Sequence, residues 1–165
     1  MKLNVVLVEP EIPQNTGNIA RTCAATGGKL HLVHPLGFSI SEKQVKRAGL
    51  DYWDKLEIEE HNSFADFLKK YPPETNNMFF LTTKGQKCYT EVDYSKMDEV
   101  FLLFGRETKG LPEDILQKYI EKAVRIPMRE TLRSLNLSNS VAIVVYEVLR
   151  QHNFENLEET SKYFK

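Results

Sequence analysis

Thiols are scarce in this chain of 165 residues: Cys23 and Cys88 are its two cysteines, and neither has a partner at metal-ligand spacing. They read as small core or surface residues in a reducing compartment, not as a disulfide framework. Long apolar runs are missing as well. The opening MKLNVVLVEP holds four consecutive apolar residues, too few for a secretory signal, and no later stretch approaches a membrane span. A cytoplasmic protein with no membrane partner is expected. Excess charge is absent too: the formal net charge is −1, so the whole-protein field does not gather a polyanion and any nucleic-acid contact must come from local patches.

Several motifs that announce their chemistry by spacing are also missing. There is no G-x-G-x-x-G, which counts against a dinucleotide site or the glycine-rich turn of an ordinary Rossmann methyltransferase. His31, His34, His61 and His152 lack the H-E-x-x-H pattern, and His31 with His34 is a weak spacing without acidic or cysteine companions. These histidines read as structural or surface residues, and no metal is expected. Internal repeats, low-complexity tracts and linkers are likewise not evident.

What is present is a globular composition, 41% hydrophobic and 27% charged, in a length suited to one domain. Residues 1–152 read as that domain and 153–165 as a polar tail with scattered aromatics. Asn4 to Val8, Lys29 to Val33, Met78 to Thr82, Val100 to Phe104 and Ala123 to Ile126 are buried-strand candidates, with a weaker one around Lys55 to Glu59. Helices are expected after Asn15 or Thr16 as cap and up to Gly27, over Ser41 to Arg47, from a cap at Asn62 to before Pro72, from Pro112, and over Ser140 to Gln151. Strands alternating with helices predict an α/β domain with a mainly parallel sheet and helices on both faces.

Two helices carry more than periodicity. In the last, Val141, Val144, Val145 and Val148 form an apolar face that Ile143, Tyr146 and Leu149 widen beyond one side, so it is covered either by a second protomer or by a larger internal core. In the first, Gly17, Ala20, Ala24 and Gly27 form a strip of small residues. Arg21 lies four positions after Gly17, so its long side chain can extend over a position without a side chain, towards a ligand, a partner or solvent. Lys43, Lys46 and Arg47 recur at i, i+3 and i+4 and share a face, which is either solvated or in contact with RNA.

Ligands of open α/β sheets bind beyond the carboxyl ends of strands, which selects the loops starting near Leu81, Gly105 and Ile126. Gly105-Arg-Glu-Thr-Lys-Gly110 has the glycine spacing of a phosphate-binding loop, but Leu111 and Pro112 replace the lysine and hydroxyl residue that a triphosphate needs. The run Ser134-Leu-Asn-Leu-Ser-Asn139 places hydroxyls and amides before an apolar helix. Capping by Ser138, Asn139 or Ser140 accounts for one of them, and the rest suit hydrogen bonding to an adenosine or ribose.

Taken together, Asn15-Thr-Gly-Asn-Ile-Ala-Arg21, Leu103-Phe-Gly-Arg-Glu-Thr-Lys-Gly-Leu-Pro112, Ile126-Pro-Met and Arg133-Ser-Leu-Asn-Leu-Ser-Asn-Ser140 resemble the signature motifs of the SPOUT methyltransferases. The match is closest to the tRNA (cytidine(34)-2'-O)-methyltransferase family, also through the opening V-x-x-E-P-E-I-P-x-N-T-G-N, His34-Pro-Leu-Gly-Phe38 and Arg47-Ala-Gly-Leu-Asp-Tyr52. The resemblance implies a C-terminal trefoil knot and a homodimer. It implies S-adenosylmethionine as cofactor, held through Leu81, Gly105, Ile126, Ser134 and Asn136, and Arg21 and Tyr146 as catalytic or interface residues. Its substrate is the wobble nucleotide of a tRNA anticodon stem-loop, for which Asn15, Lys43, Lys46, Arg47, Arg129 and Arg133 are candidate contacts. A guanidinium is effectively always protonated, so Arg21 is expected to orient and stabilise rather than to act as a base. Methylation of another tRNA or rRNA site, a non-catalytic RNA-binding dimer and, least favoured, a nucleotide hydrolase are the competing readings.

Overall fold

The computed structural model describes residues 1–40 and 53–164. The helix expected over Ser41 to Arg47, with Lys43, Lys46 and Arg47, lies outside them.

The expected strands assemble into one sheet because their apolar runs can be buried on both faces only inside a parallel sheet covered by helices. The strands are β1 (Lys2–Val8), β2 (Lys29–Val33), β3 (Ile58–His61), β4 (Met78–Leu81), β5 (Lys87–Cys88), β6 (Glu99–Phe104) and β7 (Ala123–Arg125); β5, two residues long, was not expected from the sequence, since it has no apolar run. They pair in the order β3-β2-β1-β6-β4-β7-β5, and each of the six pairings is parallel. Alternation along β1 and β6 splits the core in two. Leu3, Val5, Leu7, Val100, Leu102 and Phe104 face one side. Val6, Val8, Phe101 and Leu103 face the other.

Helix α1 (Pro13–Thr26) and the last helix, α4 (Leu137–Gln151), cover the first side through Ile19, Ala20, Cys23, Val141, Val144, Val145 and Val148. Helices α2 (Phe64–Lys70) and α3 (Glu113–Lys118) cover the second through Phe67 and Leu116. The chain crosses from β6 past β4 to β7. It then returns along residues 126–136 to the carboxyl ends of β4 and β6 before α4 packs beside α1. This return path fits the C-terminal knot that the resemblance implies.

Local starts differ from the sequence expectation in instructive ways. Helix α1 begins at Pro13, with Ile12 in the capping position, so Asn15 lies inside the first turn and does not cap it. Proline is pre-set for that first position, and the acceptors for the free N–H groups come from a distant residue, as described below. Ser63 caps α2 by accepting from the Asp66 N–H at 3.0 Å, where Asn62 was expected. Trp53–Lys55 is a short 3-10 turn, and the weak strand starts only at Ile58, where pairing with Leu30 to Val33 begins. Asn136 caps α4 by accepting from Ser138 N–H at 2.9 Å and Asn139 N–H at 3.3 Å, so the helix starts at Leu137, three residues before the expected Ser140. Residues Phe154 and Leu157 of the tail rest against the first core, whereas Tyr163 and Phe164 are exposed.

Candidate functional site

The three loops selected from the sequence meet at one cavity of about 470 Å³ beyond the carboxyl ends of β4, β6 and β7. Its apolar wall includes Leu81, Leu111, Ile126 and Leu135, and its polar groups include Thr82, Ser134 and Ser140. Leu81, Gly105, Ile126, Ser134, Asn136, Asn15 and Arg133 are thus brought together from positions up to 121 residues apart in sequence. Arg21, Tyr146 and Arg129 do not line it; all three are exposed. Arg21 sits on α1 and Tyr146 on α4, the two helices that pack side by side.

The loop after β6 is a tight hairpin. Arg106 N–H donates to the Gly110 carbonyl at 3.2 Å, and Gly110 N–H donates to the Arg106 carbonyl at 2.8 Å. Gly105 is required by close approach: a Cβ there would lie 2.0 Å from the Gly110 carbonyl carbon and 2.2 Å from the Leu111 nitrogen. Gly110 is required by its left-handed φ of 69°.

Three side chains fasten this hairpin to the segment between β1 and α1. Arg106 donates to Glu9 Oε2 from Nε at 3.2 Å and from Nη2 at 2.9 Å. Glu9 holds a left-handed φ of 53°, which costs a non-glycine residue about 1 kcal/mol and which the ion pair helps to offset. Thr108 donates to Glu11 Oε1 from its hydroxyl at 2.7 Å and from its N–H at 3.1 Å. Glu107 accepts from the N–H groups of Glu11 at 2.8 Å and Ile12 at 3.1 Å, and from Asn15 Nδ2 at 3.4 Å. A carboxylate at a helix N-terminus is favoured by the helix dipole as well as by these donors. Asn15 Oδ1 then accepts from Asn136 Nδ2 at 3.2 Å, so one chain of contacts ties the hairpin, α1 and the start of α4. Glu107 was not singled out from the sequence. The only local signal was that Ile12 offers no cap to a helix opened by proline.

A second polar cluster lies in the interior away from this cavity. Asn4 Nδ2 donates to Glu99 Oε1 at 3.1 Å, which directs Asn4 Oδ1 at His31 Nε2, 2.8 Å away. His31 Nε2 therefore carries the proton and Nδ1 accepts from His61 Nε2 at 3.0 Å. Glu59 lies beside both rings, but its carboxylate already accepts from Lys29 at 2.6 Å, from Lys70, and from the Tyr71 hydroxyl at 3.0 Å. His31, Glu59 and His61 bring three potential ligand atoms within 4.8 Å of one another; as they stand, the ring nitrogens bond to each other and two ammonium groups hold the carboxylate, which braces β3. Burial pushes the Glu59 carboxyl up, but the hydrogen bonds from Lys29, Lys70 and Tyr71 outweigh it and bring the group down to about 2.

Burial holds His31 down at about 3 and lowers His61 as well. Both are neutral in the fold, while in the unfolded chain a histidine gains a proton below about pH 6.5. Stability is accordingly full above pH 6.5 and declines as the pH falls towards 3. At 1.36 kcal/mol per pH unit, His31 alone should cost about 2 kcal/mol at pH 5 relative to pH 7.5. Urea unfolding at the two pH values measures this. An unchanged free energy would mean that the rings are solvated in the native state.

Comparison with known proteins agrees with this architecture. A model of the SpoU rRNA Methylase family matches residues 2–146. A Bacillus subtilis (strain 168) protein that carries the name tRNA (cytidine(34)-2'-O)-methyltransferase provisionally is 52% identical over 157 residues, 94% of this chain and 97% of that protein. A solved structure presented as structural insights into the 2-OH methylation of C/U34 on tRNA superposes with a TM-score of 0.86 at 43% identity, over 93% of this chain and 98% of the other. An AdoMet-bound rRNA methyltransferase from Sinorhizobium meliloti superposes at 0.81 with 27% identity, over 90% of this chain and 56% of the larger protein. With the parallel sheet, the three converging loops and a family match across nearly the whole domain, the chain belongs to the SpoU rRNA Methylase family.

Proposed function

We propose that this chain transfers a methyl group from S-adenosylmethionine to the ribose 2'-hydroxyl of the tRNA wobble nucleotide, a cytidine or modified uridine at position 34. Residues 1–152 form the working domain of a cytoplasmic homodimer, and no metal takes part. The observation that carries this reading is the convergence of Leu81, Gly105, Ile126, Ser134 and Asn136 on one cavity in a member of this family.

The cavity fits the cofactor by size and chemistry. A site of about 300 to 1,000 Å³ with an apolar wall and a few polar groups suits a nucleoside-sized ligand. Leu81, Ile126 and Leu135 offer the wall for an adenine, and Ser134, Ser140 and backbone groups offer partners for a ribose. Among the described residues its lining contains no histidine, cysteine, tyrosine or aspartate, and Glu107, its one carboxylate, is engaged by α1. Such a lining binds and orients. When bound there, S-adenosylmethionine would supply a methyl group activated by its sulfonium, with a neutral thioether as leaving group and the hydroxyl proton released to solvent.

Arg21 supplies positive charge to the oxygen or to a neighbouring phosphate, as a permanently protonated group. Because Arg21 and Tyr146 stand outside the lining of their own chain's cavity, they act through a two-fold interface built on α1 and α4. Exposure of Ile143 and Tyr146, 37% and 48%, on a helix whose other apolar face is fully buried supports that interface. Arg21→Ala is expected to bind cofactor as before and to lose about a hundredfold in methyl-transfer rate, the cost of removing one group that stabilises a developing negative charge. A single-turnover rate equal to wild type removes Arg21 from the mechanism.

The function itself is tested by incubating the protein with labelled S-adenosylmethionine and tRNA lacking this modification, then locating the label by nuclease digestion and mass spectrometry. A 2'-O-methyl group at nucleotide 34 is expected. A methyl group at another ribose assigns a different RNA site, and no transfer to any tRNA leaves the RNA-binding dimer as the reading.

A further inference from the structure

Four cations line the cavity: Lys84, Arg106, Lys109 and Arg133. Two of them are neutralised, Lys84 by Glu113 and Arg106 by Glu9. Lys109 and Arg133 have no hydrogen-bond or ion-pair partner among the described residues. They stand on different walls, Lys109 on the hairpin after β6 and Arg133 on the segment after β7, and both are exposed. Within the hairpin the contrast is clear, because Arg106, Glu107 and Thr108 each form hydrogen bonds to the segment between β1 and α1, while Lys109 forms none and reaches Glu11 only through the longer-range attraction of its charge. The hairpin backbone is closed by two hydrogen bonds and by the close approach at Gly105, so the ammonium rides on a rigid support. A preorganised cation loses less freedom on binding than one on a mobile loop.

We propose that Lys109 and Arg133 form a two-cation clamp across the cavity mouth that grips the RNA phosphates flanking the ribose to be methylated. This rests on the methyltransferase reading above and adds the residue Lys109 and the geometry of the grip. Anionic oxygen is the ligand chemistry, and it has two sources at this site, an RNA phosphate and the carboxylate of the cofactor's methionyl part. The phosphate is favoured because both cations are exposed at the rim. A chain with a net charge of −1 must also draw its affinity for a polyanion from local, exposed cations that form no ion pair. Phosphate contacts fix register without reading sequence, which is what in-line presentation of a 2'-hydroxyl requires.

The test measures binding of a fluorescent anticodon stem-loop RNA across a potassium chloride series, and binding of S-adenosylmethionine by calorimetry, for wild type, Lys109→Gln, Arg133→Gln and the double variant. Lys162→Gln, on the tail, controls for simple loss of charge. Each clamp variant is expected to weaken RNA binding about fivefold at low salt. Each should also flatten the log–log salt dependence by roughly 0.7, the single-strand value per phosphate, with the double variant near twice that. Cofactor affinity should be unchanged and Lys162→Gln should match wild type. Wild-type RNA affinity and salt slope in Lys109→Gln overturn the clamp, as does a loss of cofactor affinity with the RNA slope intact, which assigns the cation to the cofactor carboxylate. If wild type methylates nucleotide 34 and either result is found, the clamp alone fails; if wild type methylates no tRNA, the function fails and the clamp with it.

Discussion

Glu107→Ala is expected to lower cofactor affinity and methyl transfer by about a thousandfold while the sheet stays folded. The carboxylate accepts from two backbone N–H groups and from Asn15, and no side chain near the start of α1 can replace it, since the capping residue is Ile12. Charge-assisted hydrogen bonds contribute about 1.5 to 3 kcal/mol each, and water can reach part of this half-buried site, so a net loss of about 4 kcal/mol is reasonable. At about 1.4 kcal/mol per tenfold, that is the stated factor. The loss falls on the site because the contacts join Glu11 and Ile12 to a hairpin that lines the cavity, and Asn15 passes the link on to Asn136. Glu107→Gln should fall between, since one amide oxygen still accepts but the amide NH2 opposes an N–H. Calorimetry with S-adenosylmethionine, steady-state transfer and thermal unfolding separate the effects. Cofactor affinity within threefold of wild type in Glu107→Ala would show that the hairpin holds its place without this clamp.

Gly105→Ala should be equally damaging for a different reason, and far worse than Gly110→Ala. The added methyl group would meet backbone atoms of Gly110 and Leu111 at 2.0 and 2.2 Å, inside any real contact distance, and backbone cannot swing aside as a side chain can. The hairpin would have to open and lose both Arg106–Gly110 hydrogen bonds. Overpacking and lost bonds together cost about 4 kcal/mol, again about a thousandfold in cofactor affinity. At Gly110 a Cβ meets nothing within 4 Å, so the penalty there is the left-handed φ of 69° alone. That strain is about 1 to 2 kcal/mol, or roughly tenfold. The ordering is the decisive measurement: equal affinities in the two variants would mean that the hairpin is open in solution.

Legibility in the sequence followed the range of the interactions involved. The strands at Asn4, Lys29, Met78, Val100 and Ala123 are short β-branched or aromatic runs bounded by turn residues, and burial on both faces left them nothing to alternate with. Gly27 ends α1 with a left-handed φ of 76°, as a glycine after a helix predicts. The helix starts were less legible, because Asn62 and Ser63, or Asn136, Ser138, Asn139 and Ser140, are chemically equivalent caps. The choice among them depends on which one the chain leaves extended.

The loops near Leu81, Gly105 and Ile126 were identified from strand ends and glycine spacing, and Ser134 and Asn136 from an unexplained density of small polar groups. Their roles were less legible than their positions. Asn15 and Asn136, read as ligand contacts, are joined to each other and to Glu107 or the α4 cap, so they shape the cavity as well as line it. Histidines 31 and 61, read as structural or surface residues, are buried and bonded to each other, a pairing that their spacing of 30 residues conceals.

What the amino-acid sequence by itself determined was the alternation of elements, the α/β class, and the loops that line the cavity. These depend on periodicity, turn chemistry and composition within windows of about ten residues. The tertiary structure alone decided the strand order and the pairing of Glu107, Arg106 and Thr108 with residues more than ninety positions earlier. It also decided that Lys84 and Arg106 form ion pairs while Lys109 and Arg133 form none among the described residues. The physical reason is that a carboxylate or ammonium carries no mark of its partner until folding brings the two within hydrogen-bonding distance. At Gly105 to Gly110 the sequence offered several charged residues of similar promise, and only the packed hairpin sorted those that bind the protein from the one that faces outward.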